Sequence, residues 1–583
     1  MMKGIRGIIE DRIVTAMEAM GAPEKTNAIV VPASRPEFGD YQANGIMSVA
    51  KKLEKNPREF AQAVVDSVEL NDIAESVDIA GPGFINIRLK LEWLNKFVND
   101  VSNDSRVGIQ QVSNPSKVVI DYSHPNLAKE MHVGHLRSTV IGDTIARILE
   151  FCGHEVIRHN HVGDWGTQFG MLIAYMDRLS KSGSDSASEL EDLEAFYQAS
   201  RKLFDNDEGF AKTAREYVVK LQAGDDDDVR SSWKRFVEVS LQHCDQVYRI
   251  LDVTLKREDV RAESAYNDDL PDIVEHLRKK GLLCESDGAQ CVFLEEFKNR
   301  EDEITPVIVQ KSDGGYLYAT TDLAAIRYRA NALEASRLLY IVDARQSLHL
   351  RQVFGVARAA GLVPDSCKLE HHPFGTMLGS DGKPFKTRTG GTIKLMELLR
   401  EAEDRAFILI GEKNSDLTES ERREISRAIG IGSVKYADLS LNRMTDYVFS
   451  WEKMLSLDGN TAPYLLYSYA RINSIFRRAE ITEDQLDQFD GRISLTDPSE
   501  RALAVKIVQL NEVVHTVAKE CFPNVLCTYI YELSEFFMKF YERCPVLKTD
   551  DETRISRLKL CKLTGKVLET SLRLLGIRPV RRM

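Results

Sequence analysis

The sequence predicts a multidomain α/β protein in which a parallel-sheet domain lies between an N-terminal α+β domain and a C-terminal all-α helical bundle. The chain has 583 residues, far more than one hydrophobic core usually supports. Strand, helix and strand patterns follow one another from Lys117, and after about Lys394 the pattern is almost wholly helical. We therefore expect domains at residues 1–113, 114–400 (with a helical insertion at about 175–255) and 401–583.

Composition and charge narrow the class of protein. Hydrophobic residues make up 43% of the chain and charged residues 28%, which is ordinary for a folded, water-soluble protein. A formal charge of −12 and a pI of about 5.6 argue against nonspecific coating of nucleic acid. A specific RNA partner is still compatible with this net charge, because the C-terminal stretch 557–583 is locally basic. A solvated helix face explains the same basic residues equally well.

The N-terminus and the cysteines indicate the compartment. The first residues are amphipathic and lack the continuous apolar core of a signal peptide, and no window approaches ~18 apolar residues. The nine cysteines include no C-x-x-C pair with the spacing of a zinc or redox site. We expect a cytoplasmic protein with no membrane partner and with reduced, mostly buried thiols.

The predicted elements follow in order along the chain. Residues 1–113 mix helical segments with a strand-like run at 83–88 and end in a polar stretch, which predicts a small α+β domain and a linker. The run 117–125 is typical of a buried strand, 135–153 of a helix and 154–166 of another strand. Strand, helix and strand in this order predict a parallel βαβ unit of the Rossmann type.

The rest of the parallel-sheet domain and the C-terminal region are predicted from weaker patterns. An acidic helical insertion, outside the sheet, precedes further strand-like runs at 290–296, 305–312 and 338–344. Thr418 and Glu421 form a capping-box signal that opens a helix. Apolar residues recur at helical spacing in 525–541, and we interpret this stripe as core rather than as a base-stacking surface: Leu526, Tyr529, Ile530, Leu533, Phe536, Phe537 and Phe540.

The motif His132-Val133-Gly134-His135 lies where the first strand of the βαβ unit passes into its helix. Ligands of open α/β sheets bind at this edge. The histidines share one helical face, the glycine permits close approach of a nucleotide, and the helix N-terminus offers unpaired N–H groups. Imidazole donors could stabilise the negative charge that builds on a phosphate under attack. A structural histidine pair or a metal site is the alternative, although no third metal ligand has suitable spacing.

Longer segments of the sequence resemble those of arginyl-tRNA synthetases, in the class I synthetase family. The segment from Ser123 to Thr139 closely resembles the extended HIGH signature of that family. Further similar segments lie at 161–166, 318–324, 343–349 and 459–467, and the runs at 38–44 and 82–86 resemble the family's extra N-terminal domain. The resemblance therefore spans nearly the whole chain.

The resemblance implies a two-step reaction with defined partners. Arginine attacks ATP, which is bound with Mg²⁺, to give arginyl-adenylate and pyrophosphate; the terminal ribose of tRNA(Arg) then takes the arginyl group. The implied catalytic residues are His132, His135, Lys129 and Lys386, and the implied ATP-binding residues are His132, Gly134, His135, Lys129, His349, Lys383, Lys386 and Arg388. The family also implies a monomer, and the sequence shows no dedicated protein site for a metal.

An arginine pocket needs acceptors, because a guanidinium carries five donors and no acceptor. By resemblance Glu263, Tyr318 and Asp322 supply them, while Ser123, Asn126 and Gln346 hold the main-chain end of the amino acid. Without the family resemblance, a helix N-cap or a surface carboxylate is the favoured interpretation of Glu263 and Asp322. The residues before Glu263, Arg261 and Ala262, depart from the family's usual glycine.

The second phosphate-binding loop of class I enzymes departs from its KMSKS pattern in this chain. The expected place holds a basic, glycine-flanked stretch from Gly382 to Gly391, which includes Lys383, Lys386 and Arg388. Such a loop suits closure over phosphates, and the resemblance implies that Lys129 compensates for the missing lysine. A solvated basic turn is the alternative.

Aromatic and basic residues on helices predict the contacts with tRNA. Tyr464, Tyr467 and Arg471 share one helical face and by resemblance meet the anticodon loop, together with Met583, since unstacked bases are read by stacking and edge hydrogen bonds. An aromatic helix–helix contact is the alternative for each tyrosine. Likewise, Phe38, Tyr41 and Gln42 are expected at the D-loop side of the tRNA, although one of them could belong to the core.

Two other functions remain open on sequence grounds. One is another HIGH-type synthetase, for glutamate, glutamine or cysteine; glutamate would need a basic pocket, and cysteine would favour zinc-ligand cysteines. The other is a catalytically silent paralogue that binds RNA or a partner protein. The intact His132, His135, Asn126 and Asp322 count against this second possibility.

Overall fold

The structure is a computed structural model that describes residues 4–182, 192–223, 226–299, 301–385, 393–413 and 416–583. The chain divides into two compact units. The first unit comprises residues 1–113, 410–429 and 455–583, and the second comprises residues 114–409 and 430–454. The predicted parallel sheet lies in the second unit.

The N-terminal part of the first unit is an antiparallel sheet with helices. Its strands are β1 (Val30–Pro32), β2 (Tyr41–Ala43), β3 (Ala74–Ala80) and β4 (Phe84–Leu89), in the order β1-β2-β4-β3. Its helices are α1 (Ile5–Ala19), α2 (Ile46–Lys52), α3 (Pro57–Ser67) and α4 (Leu91–Ser102). The side chain of Asn56 caps α3 by accepting from the N–H of Arg58, and Pro57 takes the first helical position. The α+β fold and the strand predicted at 83–88 are confirmed.

A parallel sheet forms the centre of the second unit. The strands of this unit, among the described residues, are β5 (Lys117–Asp121), β6 (Glu155–His159), β7 (Leu283–Ser286), β8 (Ala289–Val292), β9 (Val307–Gln310), β10 (Arg337–Tyr340), β11 (Lys368–His371), β12 (Met377–Leu378) and β13 (Tyr447–Val448). Strands β11, β10, β5 and β6 lie side by side in that order, and each pair is parallel. Helix α5 (Leu136–Phe151) connects β5 to β6, which confirms the predicted βαβ unit.

The other strand-like runs of the second unit divide between sheets. The run at 338–344 overlaps β10 of the parallel sheet, whereas the runs at 290–296 and 305–312 overlap β8 and β9, which form a separate antiparallel sheet with β7. Strands β12 and β13 make a short parallel pair. Periodicity alone does not assign a strand to a sheet, because partners are chosen by contacts that are distant in sequence.

Helices surround these sheets and make up the insertion. Besides α5, the α-helices of the second unit before residue 360, among the described residues, are α6 (Thr167–Ser182), α7 (Leu193–Asn206), α8 (Glu208–Ala223), α9 (Asp227–Ile250), α10 (Leu270–Lys279), α11 (Tyr318–Arg327) and α12 (Ser347–Ala359). Helices α6 and α8 share a small apolar core of Met171, Ala174, Phe210 and Ala214. Helices therefore occupy the stretch predicted as an insertion, and two of them pack against each other.

The C-terminal region is helical, as predicted. Its helices are α13 (Leu395–Lys413), α14 (Glu419–Leu439), α15 (Trp451–Met454), α16 (Ala462–Ala479), α17 (Glu483–Asp487), α18 (Pro498–Val508), α19 (Leu510–Glu520), α20 (Asn524–Arg543) and α21 (Asp551–Leu574). The capping box before α14 is confirmed, since Glu421 N–H donates to Thr418 Oγ1 at 3.3 Å and Thr418 N–H donates to Glu421 at 2.9 Å. The apolar stripe of α20 is core, and only Phe536 of its members is half-buried.

Ion pairs fasten the N-terminal sheet to the helical bundle inside the first unit. Arg501 on α18 donates to both carboxylate oxygens of Asp40 at 2.9 and 2.6 Å, and it also donates to the carbonyl of Leu89 at 3.0 Å. Asp40 is buried. A bidentate pair of this kind fixes orientation as well as distance.

All nine cysteines are free thiols, and Cys284 alone among them is exposed. This confirms the expectation of mostly buried thiols. Among the described helices, none is long and apolar enough to cross a membrane.

Helix α5 packs against the sheet through a glycine. A Cβ atom on Gly142 would lie 2.3 Å from Cγ of Tyr122, and the Tyr122 ring is fully buried. We predict that Gly142→Ala lowers the free energy of unfolding by about 1–3 kcal/mol, because the added methyl overpacks this contact. Calorimetric or urea unfolding measures the effect.

The same substitution at Gly209 on α8 is the control. The nearest atom to its Cβ position is a carboxylate oxygen of Asp207 at 3.3 Å, so Gly209→Ala is expected to be neutral or to stabilise the protein by up to about 1 kcal/mol. Equal losses from both variants would show that the glycine–tyrosine contact is not the cause.

Candidate functional site

The segment between β5 and α5 carries the predicted histidine pair. Directly after β5, Ser123 and His124 adopt left-handed φ angles of 81° and 51°, which are uncommon for residues with side chains. The segment ends in the 3-10 turn Val133–His135, which runs into α5. His132 and His135 thus lie at the N-terminus of α5, at the sheet edge where parallel α/β sheets bind ligands.

The hydrogen bonds of the two histidines select one tautomer. Their ring centroids are 4.0 Å apart. Nδ1 of His132 accepts from the N–H of Gly134 at 3.0 Å, and Nδ1 of His135 accepts from the N–H of His132 at 3.1 Å. A neutral imidazole with an accepting Nδ1 carries its proton on Nε2. The pair therefore presents two Nε2–H donors.

Both histidines are neutral at physiological pH. Burial, and then the nearby Lys129, lowers the pKa of His132 to about 4. Burial, and then His132 and Lys129, lowers the pKa of His135 to about 3. The rings can donate hydrogen bonds without formal charge, next to the unpaired N–H groups of a helix N-terminus. This arrangement suits an anionic phosphate.

A cavity of about 220 Å³ lies beside the histidine pair. His132 and Gly134 form one wall, and Phe374, Thr376 and Phe385 form another. A group bound in this cavity would lie beside His132 and the start of the turn that leads into α5. The cavity therefore belongs to the same candidate site as the histidines.

Arg137 is a residue of this site that the sequence analysis missed. It lines the cavity and is 2% exposed. Its Nε donates to the buried carboxylate of Asp438 at 3.2 Å, and its Nη1 donates to the carbonyl of Thr445 at 3.0 Å. Its guanidinium carbon lies 5.2 Å from the ring centroid of Tyr447 on β13. Arg137 thus ties the histidine helix to the strand pair from which the basic loop departs; its position two residues after His135 was the only sequence signal.

Two carboxylates meet at a second position on the same sheet edge. Burial, then Asp322, and then Asp164 raise the pKa of Glu263 to about 7. Asp164 is held by Ser264, whose N–H donates to it at 2.9 Å. A partly buried carboxylate with carboxylate neighbours favours a bound cation, which would offset both the desolvation and the repulsion.

Asp322 lies against two histidines. Its Oδ2 lies 2.6 Å from Nε2 of His349, and its Oδ1 lies 4.0 Å from Nε2 of His161. Tyr318 begins the same helix, is 63% exposed and contacts the His349 ring edge-on with centroids 4.7 Å apart. The structure therefore brings Tyr318 and Asp322 together with His349, which was predicted for ATP, and Asp322 is near enough to Glu263 to raise its pKa.

The residues predicted for the main-chain end of the amino acid differ in exposure. Ser123 is buried, and its Oγ is 2.7 Å from the hydroxyl of Tyr248. Asn126 is exposed, and a Cβ on Gly163 would lie 2.2 Å from its Oδ1, so only glycine permits this approach. Gln346 is exposed at the end of the turn Ala344–Gln346.

Two of the four basic residues predicted for this site lie in the part of the chain that the structure describes, and two lie outside it. The Lys129 ammonium is 5.8 Å from the ring centroid of Tyr197 on α7, and its charge lowers the pKa of both site histidines. Lys383 is exposed, and its N–H donates to Asp381 at 3.1 Å. Lys386 and Arg388 lie outside the described residues.

In the first unit, α16 carries the predicted anticodon residues on one face. Tyr467 is 39% exposed, and its hydroxyl accepts from Arg471 at 2.6 Å. Tyr464 lies 5.6 Å from Tyr531 between ring centroids. Met583 is half-buried at the C-terminus. Tyr464, Tyr467 and Arg471 have the helical spacing that was predicted. Both tyrosines also contact other side chains of the helical region.

The three residues predicted for the D-loop side have different surroundings. Phe38 is half-buried in the turn Pro36–Phe38, and Gln42 donates to Asn86 at 2.7 Å. Tyr41 is fully buried, with its hydroxyl 3.5 Å from Glu512. Its ring is a core group in this structure, which is the alternative that the sequence left open for one of the three.

No group of three or more His, Cys, Asp or Glu side chains that could hold a metal ion occurs among the described residues.

Comparisons with known proteins assign the class. The family model described as "tRNA synthetases class I (R), catalytic domain" matches residues 97–451. The model described as "DALR anticodon binding domain" matches residues 465–583, and "Arginyl tRNA synthetase N terminal domain" matches residues 7–89. The parallel-sheet region is thus the catalytic domain of a class I aminoacyl-tRNA synthetase.

Relatives that match over the full length narrow the class to one family. Proteins named arginine–tRNA ligase from Marinomonas sp. and Hahella chejuensis are each 55% identical to this chain, over 99% of the chain and 100% of their own lengths. The crystal structure of arginyl-tRNA synthetase from Plasmodium falciparum is 30% identical, with a TM-score of 0.86 and complete coverage of both chains. The chain belongs to the arginyl-tRNA synthetase family.

The neutral state of the histidine pair is testable by NMR. We predict that ring signals of His132 and His135 show the Nε2–H tautomer and do not titrate between about pH 5.5 and 8, because burial holds both pKa values well below the ordinary ~6.5. Histidine-labelled protein gives the spectra, and His132→Gln and His135→Gln assign them. In denaturant both residues should titrate normally; a midpoint above pH 6 in the folded protein would contradict the hydrogen-bond assignment.

Proposed function

We propose that this protein is an arginine–tRNA ligase that activates L-arginine with ATP and transfers it to the terminal ribose of tRNA(Arg). The observation that carries the choice of arginine is the partly buried carboxylate Glu263, whose pKa is raised to about 7 by burial and by Asp322 and Asp164. A guanidinium bound there would supply the missing positive charge and could donate to more than one carboxylate.

The residues around these carboxylates support the same ligand. Asp322 and Glu263 receive the guanidinium, and the exposed ring of Tyr318 covers it. Asp322 Oδ2 lies 2.6 Å from Nε2 of His349. Ser123, Asn126 and Gln346 are proposed to orient the main-chain end toward the histidine pair. A glutamate pocket would instead require cations at Glu263 and Asp322.

The adenylation step uses the donors at the start of α5. A carboxylate oxygen of arginine attacks the α-phosphorus of ATP, the P–O bond to the β-phosphate breaks, and pyrophosphate leaves. The Nε2–H groups of His132 and His135 stabilise the charge that develops on the phosphate oxygens. ATP binding is assigned to these histidines, Gly134, His349, Lys129, Lys383, Lys386 and Arg388. Mg²⁺ bound to ATP would supply charge neutralisation for the departing pyrophosphate.

Transfer and tRNA recognition divide among the domains. The terminal ribose hydroxyl attacks the carbonyl of arginyl-adenylate, and AMP leaves. We assign residues 114–400 to catalysis, 401–583 to the anticodon and 1–113 to the tRNA elbow, with the protein acting as a monomer. Tyr464, Tyr467, Arg471 and Met583 contact the anticodon loop in this proposal, and Phe38 and Gln42 contact the elbow.

Charging assays test the proposed function. The protein is incubated with ATP, magnesium and total tRNA, and labelled amino acids are supplied one at a time. Arginine alone is expected to become attached to tRNA. Attachment of another amino acid would overturn the pocket assignment, and no attachment by folded protein would point to a silent paralogue.

The carboxylate pair predicts a pH-dependent arginine affinity. Arginine binds the ionised form of Glu263. In the absence of arginine, burial raises the pKa of the Glu263 carboxyl group to about 7. Affinity should therefore be constant above about pH 7 and fall as the pH drops below it, because binding then releases a proton. We predict that Glu263→Gln raises the KM for arginine about 10- to 100-fold, by loss of a charged hydrogen bond, and removes this pH dependence.

The exposed Glu258 provides a matched control for this measurement. Glu258→Gln should leave the KM for arginine and its pH dependence unchanged, because this side chain is 70% exposed and pairs only weakly with Lys256. The KM for ATP should be similar in all three proteins. An equal rise in both KM values for Glu263→Gln would exclude its role as a guanidinium partner.

The histidine donors predict a rate effect. We expect His135→Ala to lower arginine-dependent ATP–pyrophosphate exchange, measured with tRNA present, by ~10²-fold, the usual cost of one transition-state donor. His135→Gln, whose amide can donate from a similar position, should recover part of the loss. His243→Ala on α9 is the control for loss of an imidazole, and an unchanged rate in His135→Ala would remove this residue from the mechanism.

A further inference from the structure

Strands β7 and β8 form a hairpin that places two cysteines opposite one another. The hairpin turns at Asp287 and Gly288, whose φ angles are 51° and 76°, as a two-residue turn of the type I′ family requires. This turn sets the register in which Cys284 is the direct partner of Cys291. Directly opposed side chains project from the same face of an antiparallel sheet.

The spacing of opposed residues fits a disulfide bond. Cα atoms of opposed residues lie ~4.5 to 5.5 Å apart in antiparallel pairs, inside the ~4.4 to 6.8 Å range of disulfides. Their Cβ atoms, ~4.5 to 5.5 Å apart, need to approach to ~3.8 Å. Both cysteines are free thiols in this structure. Because their Cβ atoms must move closer, closing the bond needs a small local twist of the hairpin.

The two thiols differ in their exposure to solvent. Cys284 is exposed, whereas Cys291 is 2% exposed. Burial, then Asp287, and then Cys284 raise the pKa of Cys291. The exposed thiol is therefore the one that an oxidant in solution reaches first, and the buried thiol is placed to react with the product.

We propose that Cys284 and Cys291 form a reversible disulfide when the protein meets a peroxide. The peroxide transfers one oxygen to Sγ of Cys284, which becomes a sulfenic acid, and hydrogen peroxide leaves water. Sγ of Cys291 then attacks Sγ of Cys284; the S–S bond forms, the S–O bond breaks, and the hydroxyl leaves as water with the proton of Cys291. The two thiols lose two electrons in total, and a dithiol reductant restores them.

The hairpin is linked to the carboxylate site, and this part of the inference rests on the proposed function. Along the chain it lies between Glu263 and Asp322. Strand β8 pairs with β9 through a register shift at Cys291, and the carbonyl of Val309 on β9 accepts from Thr320 Oγ1 at 2.5 Å. Thr320 lies on α11, which also carries Asp322. Drawing Cys291 toward Cys284 is therefore expected to raise the KM for arginine a few fold and to leave the KM for ATP unchanged.

Peptide mapping of the full-length protein tests the disulfide. After exposure to hydrogen peroxide, free thiols are alkylated and the digest is examined by mass spectrometry. A peptide pair joined through Cys284 and Cys291, lost on reduction, is the expected result. In Cys291→Ser, Cys284 should instead be trapped as the sulfenic acid by a dimedone probe. Wild-type protein in which Cys284 is oxidised while Cys291 stays free for alkylation would overturn the proposal.

Charging kinetics test the link to the site separately. Oxidised wild-type protein should show the raised KM for arginine, reversed by dithiothreitol, and peroxide-treated Cys291→Ser should not. A cross-linked protein with an unchanged KM for arginine would overturn the link. If the reduced protein charged no arginine, the proposed function would fail, and the peptide map would still decide whether the cysteines join.

Discussion

Arg329 holds together the carboxyl ends of three parallel strands. Its Nη2 lies 2.8 Å from Asp121 on β5, its Nε donates to Nδ1 of His159 on β6 at 3.0 Å, and its guanidinium carbon lies 5.1 Å from the ring centroid of Tyr340 on β10. The register of the sheet places these three partners side by side. Arg329 is 1% exposed, and a buried charge is costly unless its partners stay in place.

The loops that form the site begin at these carboxyl ends of the strands. Burial works against the charge of Asp121, but Arg329 and His124 hold the pKa of that carboxyl well below its usual range. His124 Nε2 lies 2.9 Å from Asp121, and His161 N–H donates to it at 3.3 Å. The segments that lead to the histidine pair and to the carboxylates therefore start beside the same buried anion. The low dielectric constant at this buried edge of the sheet explains both the lowered pKa values of the histidine pair and the raised pKa of Glu263.

Sequence patterns were reliable where a residue's role follows from its neighbours in the chain. The apolar runs of β5, α5 and β6, the capping box at Thr418 and the core stripe of α20 depend on local period and on short-range hydrogen bonds. Arg137 and Arg329 were missed because an isolated arginine is usually exposed, and nothing near them in sequence supplies their partners. Arg137 and Asp438 are 301 positions apart. Tyr41 likewise lies in the core through contacts with the C-terminal helices.

The sequence by itself determined the secondary structure around the site, the family and the kinds of side chain available to the chemistry. The tertiary structure alone decided which carboxylates face one another, that His349 lies against Asp322, and that the histidine pair is neutral with its protons on Nε2. These properties depend on burial and on the distances between groups. Both are set only when segments that are distant in sequence pack together, so no local pattern encodes them.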